Sequence, residues 1–83
     1  MTCGQTIEFL TRILQTSIEK NLYELSNTII TIQQRLLEKY KLEDKVELSY
    51  FTEVLQKSIG GLSHEGKEIL LPILRELKLN TIL

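Results

Sequence analysis

Catalysis and metal binding need titratable or nucleophilic side chains held close together, and this sequence supplies few. His64 is its one histidine and Cys3 its one cysteine. A metal centre built on them would have to recruit carboxylates. No HxxxH, CxxC or ExxH spacing occurs, so neither a metal nor any other cofactor is expected. Glu65 and Glu68 stand three apart, the spacing of paired carboxylates, but with Lys67 beside them a solvated helix face accounts for the pair. No Ser, Thr or Cys has a general base within local reach. No catalytic residue is assigned, and the expectation is a protein that is not an enzyme and takes no small-molecule substrate.

Two further patterns invite functional readings. Gly60-Gly61 followed by Ser63 and His64 has the outline of a phosphate-cradling loop, yet it lacks the Walker spacing and its terminal Lys-Ser/Thr, so it reads as a turn between helices. Helix, short glycine turn and helix is also the outline of a helix-turn-helix over residues 45–78. On that alternative His64, Lys67, Arg75 and Lys78 would face nucleic acid, while Glu65, Glu68 and Glu76 would repel phosphate and Pro72 would be unusual in a reading helix.

Charge argues against a dedicated duplex binder. Ten Lys and Arg against eleven Asp and Glu give a net charge of −1, with the signs interleaved along the 83 residues. A nucleic-acid contact, direct or through a larger complex, stays the second reading. A single cysteine excludes an intramolecular disulfide framework and fits a reducing compartment. Near a terminus expected to fray, Cys3 reads as an incidental thiol. No apolar run approaches the roughly 18 residues of a membrane span, and no signal-peptide pattern opens the chain, so a cytoplasmic location without membrane contact is expected.

The elements that would carry these residues are helical. From Gln5 to Lys41 there is no Gly or Pro, and Ile7, Leu10, Leu14, Ile18, Leu22, Leu25, Ile29, Ile32, Leu36 and Tyr40 recur at steps of three or four. This predicts one long helix over about 5–41, on the order of 55 Å at 1.5 Å per residue. The extra step of four across residues 14, 18 and 22 is a stutter. A break, if there is one, is expected near Ser26-Asn27-Thr28, whose short polar side chains can cap a second helix. Asp44 reads as the N-cap of a helix over about 45–59 with Leu48, Phe51, Leu55 and Ile59 inward. Gly60-Gly61 should close it in the left-handed conformation. Ser63 would cap a last helix over about 64–78, kinked at Pro72. Its inward residues are Ile69, Leu70, Ile73, Leu74 and Leu77, and the apolar tail from Leu79 to Leu83 needs a surface to dock on.

The fold expected is therefore all-α, a small helical bundle in one domain over 1–83. The long N-terminal helix would pack against a C-terminal helical hairpin. Sixteen Leu and ten Ile, with no Ala or Trp, place the apolar surface in large branched pieces that three helices would struggle to cover. The function expected is a protein-protein interaction module, either a homo-oligomer or a small accessory subunit of a larger complex. Its partner face is expected at Ile7, Leu10, Leu14, Ile18, Leu22, Leu25, Ile29 and Ile32.

Overall fold

The computed structural model describes residues 1–82, with side chains described as far as Leu79. It is an all-α bundle of α1 (Cys3–Glu19), α2 (Tyr23–Lys39), α3 (Leu48–Ile59) and α4 (His64–Ile82). Helix α1 packs on α2 and α3 on α4. The chain divides into two compact units, residues 1–46 and a second beginning at Glu47.

The stretch expected to be one helix over 5–41 is two. Asn21 takes φ 58°, in the left-handed region. Its N–H donates to the Ile18 carbonyl at 3.0 Å, and the Leu22 N–H donates to that of Ser17 at 2.8 Å. These are the paired bonds of a Schellman motif, with Asn21 in the position that glycine usually fills. Asparagine tolerates this conformation better than other residues that carry a Cβ, which is why the helix ends here without Gly or Pro. Ser26, where a break was expected, lies inside α2 and bonds back to the Leu22 carbonyl at 3.1 Å.

Helix α1 starts under tight control. Thr2 forms a capping box with Gln5, its hydroxyl accepting from the Gln5 N–H at 3.2 Å while Gln5 Oε1 accepts from the Thr2 N–H at 2.9 Å. The next donors, Cys3 N–H and Gly4 N–H, reach the carbonyls of Asp44 (2.7 Å) and Leu42 (2.9 Å), and Val46 N–H reaches that of Met1 (3.1 Å). Helix starts leave several N–H groups without intrahelical partners, and here the 42–46 segment supplies two acceptors. A Cβ added at Gly4 would come 3.3 Å from the Leu42 carbonyl oxygen, so the close approach favours glycine. The terminus is clasped rather than frayed.

Asp44 does not cap α3. Its carboxylate accepts from the Lys41 N–H at 2.9 Å and closes the turn before the clasp. Helix α3 begins later than expected, after Glu47, with no side-chain cap. Its buried residues are Phe51, Val54, Leu55 and Ile59. The turn to α4 falls where Gly60-Gly61 predicts it but in another conformation. Gly60 is right-handed (φ −57°, ψ −28°), no glycine has positive φ, and the Leu62 N–H closes the turn onto the Ile59 carbonyl at 3.0 Å. Ser63 precedes α4 and its carbonyl accepts the Lys67 N–H at 3.0 Å.

Helix α4 runs on through Pro72 to Ile82, past the end expected near Lys78. Pro72 is exposed, so the carbonyl released by its missing donor sits on the solvent side of the helix, the cheapest place for that loss. Leu70 and Leu74 are buried. In the apolar tail Leu79 is exposed, and the side chains of Asn80, Thr81, Ile82 and Leu83 lie outside those described.

Candidate interaction face

The three-residue connection between α1 and α2 makes them antiparallel, and the polar contacts across their seam fix the register. Ser17 and Ser26 place their hydroxyls 2.7 Å apart beside the turn. Two turns further from it, Gln33 Nε2 donates to the Ile7 carbonyl (3.1 Å) and to Thr11 Oγ1 (3.0 Å). Thr11 itself donates to the Ile7 carbonyl at 2.8 Å. Leu10, Leu25, Ile29, Ile32 and Leu36 are buried. At roughly 1.5–3 kcal/mol for each fully buried aliphatic side chain, this set is a large part of what holds the unit together.

Cys3 is buried with them, its thiol 4.0 Å from the Leu36 carbonyl oxygen. Burial, and after it the negative charge of Asp44, push that thiol above its ordinary pKa. Cys3 is a packed structural group in its protonated form, not an incidental thiol on a loose end.

The residues expected at a partner face are divided by this seam. Leu10, Leu25, Ile29 and Ile32 are buried within the chain itself. Ile7, Leu14 and Leu22 are half-buried, and Ile18 is 53% exposed. On α2, three apolar residues outside that set are also exposed: Tyr23 at 66%, Ile30 at 40% and Leu37 at 50%. They recur every seven residues along α2, forming a second stripe beside the one that faces α1. That spacing is visible in the sequence, but it is hidden beneath the stronger run of threes and fours.

The Gln33 bonds place these two sets together. Ile30 and Leu37 flank Gln33 at three residues before and four after, and so share its side of α2. Ile7 and Thr11, which Gln33 touches, share their side of α1 with Leu14 and Ile18. One face of the α1–α2 hairpin thus carries Ile18, Tyr23, Ile30 and Leu37, with Ile7 and Leu14 half-sunk beside them. Comparisons with protein-family models, curated proteins and solved structures return no match.

The candidate nucleic-acid residues fall on one side of α4, since His64, Lys67, Arg75 and Lys78 follow at spacings of three, eight and three, which keep them within about a quarter of the helix circumference. His64, Arg75 and Lys78 are exposed and Lys67 is half-buried. His64 Nε2 lies 2.9 Å from Glu68 Oε1, and Glu65 and Glu76 are exposed on the adjoining side, so acidic groups border the cationic ones. Among the described residues, no group of three His, Cys, Asp or Glu side chains is gathered as a metal site. Nor is any helix there long and apolar enough to cross a membrane.

Proposed function

We infer that this chain is a non-catalytic interaction module, a homo-oligomer or an accessory subunit of a larger complex, and that it meets a protein partner through the exposed face of the α1–α2 hairpin. The observation that carries the reading is the gathering of Ile18, Tyr23, Ile30 and Leu37 on one side of a hairpin whose core is already filled. Single exposed apolar residues are ordinary. Four along one face of a small unit mark a surface that gains from being covered. Tyr23 would anchor one end, since an aromatic ring contributes large contact area at little entropic cost. A reducing, cytoplasmic setting fits the single buried cysteine.

The test compares wild-type chain with an Ile30→Glu, Leu37→Glu double variant, expressed in the native host and recovered with whatever binds it. A protein held by the wild type, or self-assembly in solution, should be lost in the double variant while helix content stays unchanged. Equal recovery of the same partner by both would remove this face from consideration.

A second reading, a helix-turn-helix DNA binder using α3 and α4, is favoured by one observation, the shared side of His64, Lys67, Arg75 and Lys78. It requires duplex affinity that falls steeply with salt and is lost on Lys67→Glu, Arg75→Glu substitution. Glu65, Glu68 and Glu76 around that side make it the weaker of the two.

A further inference from the structure

We propose that the occupant of the exposed hairpin face is a second copy of this chain. The two hairpins pair face to face about a two-fold axis running along their length, with α2 of each copy lying on α1 of the other. The proposal rests on the reading of that face as an interaction surface and names its partner.

Three observations carry it. First, the face is free of charge. Its α1 row is Ile7, Thr11, Leu14 and Ile18; its α2 row is Tyr23, Ile30 and Leu37, with Asn27 and Gln34 three and four residues from Ile30 and so on the same side. A quarter of the chain is Asp, Glu, Lys or Arg, yet none stands in either row. An acidic or basic partner finds nothing here to pair with, so the complementary surface must itself be uncharged and apolar.

Second, the two rows differ in height. Every residue of the α2 row is exposed, whereas Ile7, Thr11 and Leu14 on α1 are half-buried. The face is a ridge beside a trough. What fits it is a trough beside a ridge, and turning a second copy about the long axis of the hairpin supplies that shape. A two-fold axis across the helices would set ridge on ridge and hold the troughs apart.

Third, the levels match. The Ser17–Ser26 and Thr11–Gln33 contacts fix which residues of the two helices lie abreast. By that register Ile18 is abreast of Tyr23, Leu14 of Ile30 and Ile7 of Leu37, each to within about two residues. Rotation about the long axis keeps every level, so Tyr23, Ile30 and Leu37 meet the partner's Ile18, Leu14 and Ile7 without a shift. At the rim Glu8 comes abreast of the partner's Arg35 and Glu19 of the partner's Glu24. One attraction and one repulsion leave burial, not charge, to drive the pairing.

The size suffices for a modest affinity. Each helix has 17 residues and is about 25 Å long, and two of them about 10 Å apart present roughly 500 Å². Two such faces bury about 1,000 Å² together, the lower bound for a specific interface, which implies a four-helix dimer with a dissociation constant on the order of micromolar.

The test is sedimentation equilibrium on the full chain from about 1 μM to 1 mM, spanning that constant. A monomer–dimer equilibrium is expected, and Ile30→Glu should weaken it at least about a hundredfold with helix content unchanged, since each copy then buries a carboxylate at the centre of the interface. Ile18→Lys and Tyr23→Glu fall at exposed positions. Each alone should abolish the dimer, and the two mixed should restore it, because the introduced ammonium of one chain meets the introduced carboxylate of the other. A wild-type monomer at every concentration, or a dimer that Ile30→Glu does not weaken, overturns the second copy as occupant. Failure of the two variants to rescue each other overturns the placing of α2 on the partner's α1. The reading of the face as an interaction surface fails separately, when the native host yields the same partner with wild type and with the Ile30→Glu, Leu37→Glu variant.

Discussion

Ser17 and Ser26, nine residues apart in sequence, hold their hydroxyl oxygens at 2.7 Å inside the seam of the α1–α2 hairpin. Each also reaches a carbonyl of its own helix, Ser17 that of Leu14 at 2.7 Å and Ser26 that of Leu22 at 3.1 Å. With two protons for three bonds, one hydroxyl donates to its own helix and the other is free to donate across. The pair is satisfied without water, and it ties the end of one helix to the start of the next.

Either serine replaced by alanine should cost about 0.5–1.5 kcal/mol, the ordinary net worth of a buried hydrogen bond whose partner keeps a second acceptor. The double replacement should cost less than the sum of the two, because the shared bond can be lost only once. Urea denaturation of the four proteins measures the coupling, and strict additivity would show that the two hydroxyls do not interact.

Gly60→Ala and Gly61→Ala should be neutral or should stabilise by about 0.4–1 kcal/mol each. Neither glycine has positive φ, and a Cβ at either position would meet nothing within 4 Å, so the main effect is a less disordered unfolded chain. Gly4→Ala should instead show no such gain, because its Cβ crowds the Leu42 carbonyl. Thermal melts of the three variants separate these cases.

Thr52→Val should stabilise the protein by about 1 kcal/mol. The Thr52 hydroxyl is buried and makes no hydrogen bond, whereas Thr6, Thr11, Thr16 and Thr31 each donate to the carbonyl four residues before. Removing a buried polar atom without a partner, at nearly constant volume, recovers its desolvation cost. A loss of stability on this change would mean that the hydroxyl has a partner in solution.

Cys3 should react with iodoacetamide at least about a hundredfold more slowly in the folded chain than in urea, since both burial and a raised pKa keep the thiolate scarce. The sign of its pH effect follows from the same shift. With the folded value above the unfolded one, its stabilising contribution is complete below the ordinary thiol range and is lost as pH rises toward the folded value. The difference in stability between wild type and Cys3→Ala should therefore be flat from neutral to mildly alkaline pH and shift against the wild type above that. Equilibrium denaturation at several pH values checks it.

Ile30→Glu and Leu37→Glu should each cost no more than about 1 kcal/mol of folding stability, because both residues are only partly covered and the new carboxylate can stay in water. Ile29→Asp, one residue away on the covered face, should unfold the first unit, since it buries an unpaired charge. Circular dichroism distinguishes the two behaviours before any binding is measured.

Much of this fold was legible in the sequence because its strongest signals are periodic. The apolar steps from Ile7 to Leu36 locate helical residues and their covered side, and Gly60-Gly61 locates a turn. What periodicity does not carry is where a helix reverses. Asn21 ends α1 through its own tolerance of left-handed backbone, a property of one side chain that leaves the spacing around it unchanged. Nor does spacing show that Leu10, Leu25, Ile29 and Ile32 are covered from within. That follows only once α1 folds back on α2, and the exposed stripe of Tyr23, Ile30 and Leu37 emerges from the same reversal.

The clasp at the start of α1 makes the first unit a ring in all but covalent bond. Met1 and Val46 are held by a 3.1 Å hydrogen bond, so the hairpin departs from and returns to a single point. Its gene could be rewired accordingly: a short linker from the end of the unit back to Met1, and new termini cut between Lys20 and Leu22, would give a circular permutant of the first 46 residues that keeps the seam intact and dispenses with the left-handed turn at Asn21.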